Sequence, residues 1–280
     1  MGSAGRVARA YPGRLPRVLY DRFAIDQLSR RRSLPAGSTV STCLGRLQIS
    51  TIGDLGQLRE VAVSNAYAMT GFIPRDRWTV VDVGANLGCF SRWAMCSMRT
   101  GIVVAIEPEP AMCGLLRHNT GPLAPGACRS VVVHCLQSAV AKDAGPLELL
   151  VPQGQSGWTR ASRSPDRVES GFDFAPQELS SVIVDAAPLD SLVQGALGSH
   201  RIDLLKVDIE GMEAECFESG PRVLAGARRV VFEYHSQALR ASCADILQSH
   251  GLRECHQRPN PFNHEVGVAF WTRGDPRGEP

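Results

Sequence analysis

Residues 80–90 read VVDVGANLGCF, a short apolar strand that passes into a glycine-bearing turn and then into a helix. In an open α/β sheet, ligands bind outside the carboxyl ends of the strands, at the point where the strand order reverses. Glycines let the backbone approach a ligand closely, and the free N–H groups at the start of the helix suit an anionic group. The residues predicted to form this ligand site are Gly84, Ala85, Asn86, Gly88 and Phe90.

The sequence on either side of this turn alternates between strand and helix patterns. Short strands rich in valine and isoleucine are typical of a parallel sheet that is buried on both faces. The predicted strands cover residues 79–83, 102–106, 131–135, 202–207, 229–234, 252–256 and 265–271. The sequence thus predicts an α/β fold with one doubly wound, mostly parallel, seven-stranded Rossmann-like sheet, preceded by an N-terminal hairpin and helices.

Helix signals lie between these strands. One predicted helix begins near Asn86, and a second takes Pro108 and Pro110 into its first turn. A third runs from about Met212 to Glu218, and a fourth has Ser236 as its N-cap.

The same patterns divide the chain into regions. These are an arginine-rich N-terminal segment at 1–37, a lead-in hairpin and helix at 38–77, a main domain at 78–273 and a flexible tail at 274–280. The lead-in helix is expected to end near Gly71. Residues 152–181, which are rich in Gly, Pro, Ser and Arg, are interpreted either as a lid over the substrate or as a disordered insert.

The composition excludes several classes of protein. A net charge of +2 argues against a nucleic-acid partner and against a polybasic membrane protein. The nine cysteines contain no C-x-x-C pair and indicate reduced thiols. Because no apolar run reaches the roughly 18 residues of a membrane span, and no signal-peptide core is visible, we expect a cytoplasmic protein. The sequence leaves homo-oligomerisation open.

The residue types in the turn distinguish two classes of cofactor. A dinucleotide requires G-x-G-x-x-G, whose second glycine admits the pyrophosphate, and Asn86 takes that place here. Asp82 at the strand end would also repel a pyrophosphate. S-adenosylmethionine brings an ammonium and a sulfonium group that an acid neutralises, so Asp82 favours this methyl donor. A dinucleotide-binding oxidoreductase is the alternative function, and a purely structural role is the alternative for Asp82.

Two later strand ends extend the predicted cofactor site. Glu107, followed by Pro108, comes 25 positions after Asp82. An acid at the end of the second strand is placed to accept hydrogen bonds from a ribose diol. Ser138 and Ala139 follow the third strand and are expected to lie beside the adenine. The alternative for each is an ordinary strand end.

Four blocks of sequence together resemble the FkbM-type methyltransferase family. They are VDVGANLG at 81–88, AIEP at 105–108, LKVDIEG at 205–211 and VFE at 231–233. The resemblance implies a class I methyltransferase fold and S-adenosylmethionine-dependent O-methylation of a hydroxyl on a sugar, polyketide or other secondary metabolite. N-methylation of a peptide or another macromolecule is the alternative within this enzyme class.

Candidate catalytic residues follow the fourth and fifth strands. They are Lys206, Asp208, Glu210, Glu233 and His235. Asp208 is expected to touch the donor or the substrate, and His235 is the candidate general base because its ordinary pKa of about 6.5 suits neutral pH. Structural alternatives are an ion pair for Lys206, a helix start for Glu210 and a satisfied strand end for His235. A divalent cation bound by Asp208, Glu233 and His235 is an alternative that the sequence does not favour.

Overall fold

The computed structural model describes residues 22, 24–30, 34–35, 37–121, 130–152, 159–162 and 179–275. Most of the arginine-rich segment, the interior of the 152–181 segment and the end of the tail lie outside the described residues. Of the three arginines that the sequence places in the 152–181 segment at 160, 163 and 167, only Arg160 is described.

The strands and helices of the described residues are numbered in chain order. The strands are β1 (Thr39–Thr42), β2 (Gly45–Gln48), β3 (Trp78–Val83), β4 (Thr100–Ile106), β5 (Ser130–Leu136), β6 (Ala139–Val140), β7 (Gly145–Pro152), β8 (Arg160–Ala161), β9 (Leu179–Ala187), β10 (Leu204–Val207), β11 (Arg229–Tyr234), β12 (Arg253–Pro259) and β13 (Gly267–Thr272). The helices are α1 (Asp54–Leu58), α2 (Cys89–Ser97), α3 (Pro110–Thr120), α4 (Leu189–Leu197), α5 (Glu213–Glu218), α6 (Pro221–Gly226) and α7 (Gln237–Ser249). Residues 24–29 are also helical, and a π-helical turn, Arg59–Ser64, continues α1.

The central sheet has seven strands in the order β12-β13-β11-β10-β3-β4-β5. The pairs from β11 to β5 are parallel, whereas β13 is antiparallel to both β11 and β12. The strand order reverses between β3 and β10, so the turn after β3 lies at the switch point. The predicted α/β fold with a mostly parallel, doubly wound, seven-stranded sheet is confirmed.

Alternating residues of the central strands bury against opposite layers of helices. Val80 and Val103 belong to a core that includes α2 and the lead-in segment, residues 38–77. Val81 and Val104 belong to a second core that includes α5 and α7. Both faces of the carboxyl-terminal halves of β3 and β4 are therefore buried, which explains why apolar residues occupy nearly every position there, with Asp82 as the exception.

A second sheet, absent from the sequence prediction, has the order β6-β9-β7-β8. Strands β7 and β9 pair along their whole length, from Gly145 opposite Ala186 to Pro152 opposite Leu179. The segment 152–181 thus begins and ends inside this sheet. Leu147, Leu149 and Val184 bury one face, while alternate residues stay exposed, so the strands lack the continuous apolar run that marked the central sheet.

Several element boundaries differ from the prediction. The lead-in helix ends at Ser64 and not near Gly71, because Asn65 takes a left-handed backbone conformation. Helix α3 begins at Pro110, so Pro108 lies before its first turn. Helices α4 and α6 were not predicted. Ser236 is confirmed as an N-cap, since its hydroxyl accepts the N–H of Leu239 at 3.1 Å.

Among the described helices, none combines the length and the apolar character that crossing a lipid bilayer requires.

Candidate active site

A cleft opens at the carboxyl ends of β3, β4 and β10, and the second sheet forms its far wall. It is lined by the predicted residues Gly84, Asn86, Glu107, Pro108, Ser138, Ala139, Asp208 and Glu210. Leu147 and Leu149 of β7 and Arg160 of β8 line the opposite side. The cleft therefore combines the predicted ligand turn with apolar side chains that sequence reasoning missed.

The turn after β3 requires glycine at its first position. Gly84 has a φ of 73°, and a Cβ there would collide with the carbonyl oxygen of Asp208. The N–H groups of Gly84 and Ala85 both donate to the carbonyl of Ile106 at 3.0 Å. Asn86 is also left-handed, with a φ of 48°. The turn is thus fixed against both neighbouring strands, β4 and β10.

Glu107 is held at the wall of the cleft by backbone hydrogen bonds. Its Oε2 accepts the N–H of Asn86 at 2.8 Å, and its Oε1 accepts the N–H of Glu109 at 2.9 Å. Burial raises the pKa of Glu107 to about 7, although these two N–H groups oppose the rise. Each carboxylate oxygen has a second lone pair, so Glu107 can still accept hydrogen bonds from a ligand diol.

Asp82 and Lys206 form a buried pair behind the wall of the cleft. Lys206 Nζ lies 3.2 Å from Asp82 Oδ1 and donates to the carbonyl of Gly84 at 2.7 Å. The hydroxyl of Ser91 donates to Asp82 Oδ2 at 2.7 Å. Asp82 is fully buried, so the prediction that it neutralises a bound cation directly is corrected. Burial lowers the pKa of Lys206, but Asp82 and Asp208 outweigh it and keep the pKa above its ordinary value.

Three other residues predicted to bind the cofactor lie outside the cleft lining. Ala85 is buried within the turn, and Gly88 is the N-cap of α2 with a φ of 94°. Phe90 packs edge-on against Tyr67, with ring centroids 5.3 Å apart. These residues shape the turn and its support.

Tyr67 joins Asp208 and Glu233, and sequence reasoning missed it. Its hydroxyl lies 3.1 Å from Asp208 Oδ2 and 3.1 Å from Glu233 Oε2. A hydroxyl has one proton to donate, so both contacts form at once only if one carboxyl group is protonated. Burial, followed by the charge of Asp208, raises the pKa of Glu233. No local pattern marks Tyr67, because it is 141 residues from Asp208 in the chain.

His235, Glu210 and Glu213 meet at the ends of β10 and β11. His235 Nε2 lies 3.4 Å from Glu210 Oε2, and Nδ1 lies 3.2 Å from Glu213 Oε1. Burial lowers the pKa of His235, but Glu210 and Glu213 outweigh it and raise the pKa well above its ordinary value. His235 was the candidate general base because an ordinary histidine pKa suits neutral pH. The structure raises this pKa, so that reason no longer applies.

Glu213 is a second residue that sequence reasoning missed. Its carboxylate accepts the N–H groups of Ile209 and Gly211 at 3.0 and 3.2 Å. Glu213, and not Glu210, thus holds the start of α5. Glu210 instead points into the cleft from a backbone with a φ of 53°, a conformation that non-glycine residues seldom adopt.

The loop between β12 and β13 rises at the same edge of the sheet, because Gly267 pairs with Tyr234 at the end of β11. Asn260 and Asn263 form side-chain turns within it. Phe262 is 97% exposed at its tip. None of these three residues lines the cleft.

Comparisons with known proteins show which family the sequence matches. The profile of the family described as "Methyltransferase FkbM domain" matches residues 82–258. The chain is 29% identical over 194 residues to the methyltransferase sdnD of Sordaria araneosa, covering 62% of this chain and 68% of that protein. It is 27% identical over 222 residues to the AMB antimetabolite synthetase AmbE of Pseudomonas aeruginosa, covering 69% of this chain but only 10% of that much longer protein.

Solved structures with a similar course of the chain include two proteins with bound S-adenosylmethionine. The magnesium protoporphyrin IX methyltransferase of Synechocystis is 11% identical with a TM-score of 0.41, covering 96% of this chain and 90% of that one. The fibrillarin of Aeropyrum pernix is 9% identical with a TM-score of 0.42, covering 88% and 86%.

Proposed function

The chain belongs to the FkbM methyltransferase family, and from this premise we propose that it transfers a methyl group from S-adenosylmethionine to a hydroxyl of a small or medium-sized metabolite. The observation that carries the proposal is the acidic wall of the cleft, where Glu107, Asp208 and Glu210 all face the space next to the glycine turn. In their ionised form these groups attract a sulfonium and an ammonium group and repel a pyrophosphate. Burial raises the pKa values of Glu107 and Glu210 to about 7 and about 8, and a bound cation in turn favours their ionised form.

Several parts of the donor have a matching part of the cleft. Glu107 suits the ribose diol. The N–H groups of residues 84–86 already donate to Ile106 and Glu107, so they leave the carboxylate of the donor to other groups. Ser138 and Ala139 line the region where a flat base fits beside the apolar Leu149. Asp208 then lies at the methyl end, next to the space for the acceptor.

The reaction is a displacement in which the acceptor oxygen attacks the methyl carbon while the carbon–sulfur bond breaks. The sulfur leaves with the bonding electron pair as a neutral thioether, and the hydroxyl proton passes to Asp208. Orientation of the two reactants supplies about 7 to 11 kcal/mol of the barrier reduction, and a base adds about 10² to 10⁴ in rate. Tyr67 and Lys206 fix Asp208 Oδ2, so its carboxylate is held ready for this role.

Titration calorimetry tests the proposal with S-adenosylmethionine and, separately, with NAD. We expect heat of binding from the sulfonium compound alone, weakened in Glu107→Gln. Incubation with a set of hydroxylated acceptors is then expected to release S-adenosylhomocysteine, and mass spectrometry of the product distinguishes a methylated oxygen from a methylated nitrogen. Binding of NAD with no response to S-adenosylmethionine would contradict the proposal.

A further inference from the structure

Three side chains converge beside the cleft in an arrangement that suits a metal ion. Asp208 and Glu210 follow β10, and His235 follows β11, the parallel neighbour of β10. Each offers one ligand atom, and these atoms all lie within 4.8 Å of one another. Carboxylate oxygen and imidazole nitrogen together are ligands for divalent metals such as Mn²⁺ and Fe²⁺.

The side chain of His235 is oriented as a metal ligand would be. It is 4% exposed, and its Nε2 faces Glu210 Oε2 at 3.4 Å. Its Nδ1 lies 3.2 Å from Glu213 Oε1 on the other side of the ring. A histidine that binds a metal through one ring nitrogen usually directs the other at a carboxylate, which fixes the ring, so Glu213 suits this supporting role and a cation would take the place of the proton on Nε2.

One carboxylate oxygen of Asp208 is placed to bind such a cation. The contacts that it makes with Tyr67 and Lys206 both fall on Oδ2, so Oδ1 is the atom that remains for binding. The side chains of Asp208 and Glu210 are each 14% exposed, which leaves an approach from the cleft.

The charge around these side chains is also unbalanced. Among the described residues, six carboxyl groups lie near the two basic side chains of Lys206 and His235 at this edge of the sheet; they belong to Glu60, Asp82, Asp208, Glu210, Glu213 and Glu233. A divalent cation would offset part of this excess where the side chains are buried and water screens the charges poorly.

We propose that Asp208, Glu210 and His235 bind a divalent cation, and that the cation holds the acceptor hydroxyl of a substrate diol beside the donor methyl. The second half rests on the proposed function; the first half does not. A bound cation would polarise the hydroxyl and lower its pKa. Asp208, which takes the hydroxyl proton when no cation is bound, would then serve as a ligand, and the proton would pass to water in the cleft.

The test uses the full chain, stripped with EDTA and desalted, then titrated with Mn²⁺ while the free ion is followed by electron paramagnetic resonance. We expect one Mn²⁺ per chain. Glu210→Gln and His235→Asn are expected to weaken binding by at least about tenfold, since even residues that only support ligands have effects of that size. Asp245→Asn, an exposed acid on α7, is the matched control and should bind Mn²⁺ as the wild type does.

S-adenosylmethionine binding, measured on the same preparations, separates the two proposals. A wild type that binds the donor but no Mn²⁺ overturns the cation site and leaves the proposed function standing. Equal Mn²⁺ binding by the wild type and both ligand variants overturns the assignment of the three residues. Mn²⁺ binding retained in Glu107→Gln, with weaker donor binding, supports the cation site as separate from the ribose contact. If a ligand variant fails to fold, the wild-type titration still shows whether the chain binds Mn²⁺.

Discussion

Lys206 illustrates how one buried charge supports the site without touching a ligand. Its ammonium group lies between Asp82 and Asp208 and donates to the backbone of the glycine turn. It is 3% exposed and does not line the cleft. Removing Lys206 would leave the Asp82 carboxylate buried without its cation. A buried charge without a partner destabilises the fold far more than the loss of both charges would.

We therefore predict that Lys206→Met lowers the free energy of unfolding by about 3 to 5 kcal/mol, measured by urea denaturation. The chain offers a matched control, because Lys142 is its only other lysine. Lys142 is exposed and lies 3.7 Å from the exposed Glu218, so Lys142→Met should change the stability by less than about 1 kcal/mol. Similar losses in the two variants would contradict a structural role for the buried pair.

If Glu107 binds the ribose as proposed, we predict that donor binding depends on pH. Burial raises the pKa of its carboxyl group to about 7, so the group is largely protonated below that pH and ionised above it. In the proposed binding mode, the ionised form accepts hydrogen bonds from both ribose hydroxyls. Affinity for S-adenosylmethionine should therefore rise about tenfold between about pH 6 and pH 8, because the ionised fraction of a group with a pKa of about 7 rises from about one tenth to about nine tenths over that range.

Calorimetric titrations at several pH values check this prediction, with Glu107→Gln as the control. The amide cannot ionise, so the rise should vanish in this variant. Loss of the donor's own ammonium charge acts in the opposite direction at high pH and should remain visible in the variant. A rise of equal size in both proteins would assign the titration to another group.

At the scale of the element, the glycine turn is the part of the fold that tolerates least change. The backbone of Gly84 is left-handed, and Gly84→Ala would place a Cβ against the carbonyl oxygen of Asp208. We predict loss of S-adenosylmethionine binding and a large fall in thermal stability. Gly114→Ala is the control, because Gly114 lies in α3 with open space around its Cα. Its replacement should stabilise the protein by about 0.5 to 1 kcal/mol, so destabilisation by both changes would contradict the steric argument.

The central strands could be predicted from the sequence because both of their faces are buried. Val80, Val81 and Val83 are each at most 1% exposed, so apolar residues occupy both faces of the second half of the strand, with Asp82 as the exception. Strand β9 was missed because alternate residues face away from its core, and the polar ones among them, Ser181 and Asp185, interrupt the apolar pattern. Its partner β7 ends in a segment rich in turn-forming residues, which hides the pairing.

The residues that line the cleft were predictable for a related reason: they lie in turns directly after predicted strands, so the topology alone brings them together. Tyr67 and Glu213 have no such marker. Tyr67 reaches the site only because the lead-in segment folds back over the sheet, and Glu213 acts through backbone groups of Ile209 and Gly211. Contacts of this kind depend on tertiary packing, which periodicity does not report.

At the scale of the whole molecule, the near-neutral charge conceals an uneven distribution. The net charge is +2, yet Glu107, Asp208 and Glu210 line one cleft and Asp82 and Glu233 lie just behind it. The site also extends beyond residues 82–258, the part of the chain that matches the family. Tyr67 precedes that part, so the lead-in segment completes the active site as well as the core.

Arg258 fastens the lead-in segment to the main domain. From β12 its guanidinium donates to the carbonyls of Asn65, Ala66 and Ala68 at 3.0, 2.7 and 2.6 Å, on both sides of Tyr67. Arg258→Gln removes most of these bonds. We predict faster hydrogen exchange at residues 65–69 and a turnover about ten- to a hundredfold lower, because small displacements of a positioning group have effects of that size.

The affinity for S-adenosylmethionine should stay within about twofold in Arg258→Gln, since Glu107 and the glycine turn are remote from β12 and the expected loss lies in positioning. Arg240→Gln is the matched control: Arg240 also binds β12, through Glu254 at 2.7 Å, but on the side of α7 and away from Tyr67. It should leave exchange and turnover unchanged. If Arg258→Gln exchanges at residues 65–69 as slowly as Arg240→Gln, then packing of the lead-in core, and not Arg258, places Tyr67 against Asp208.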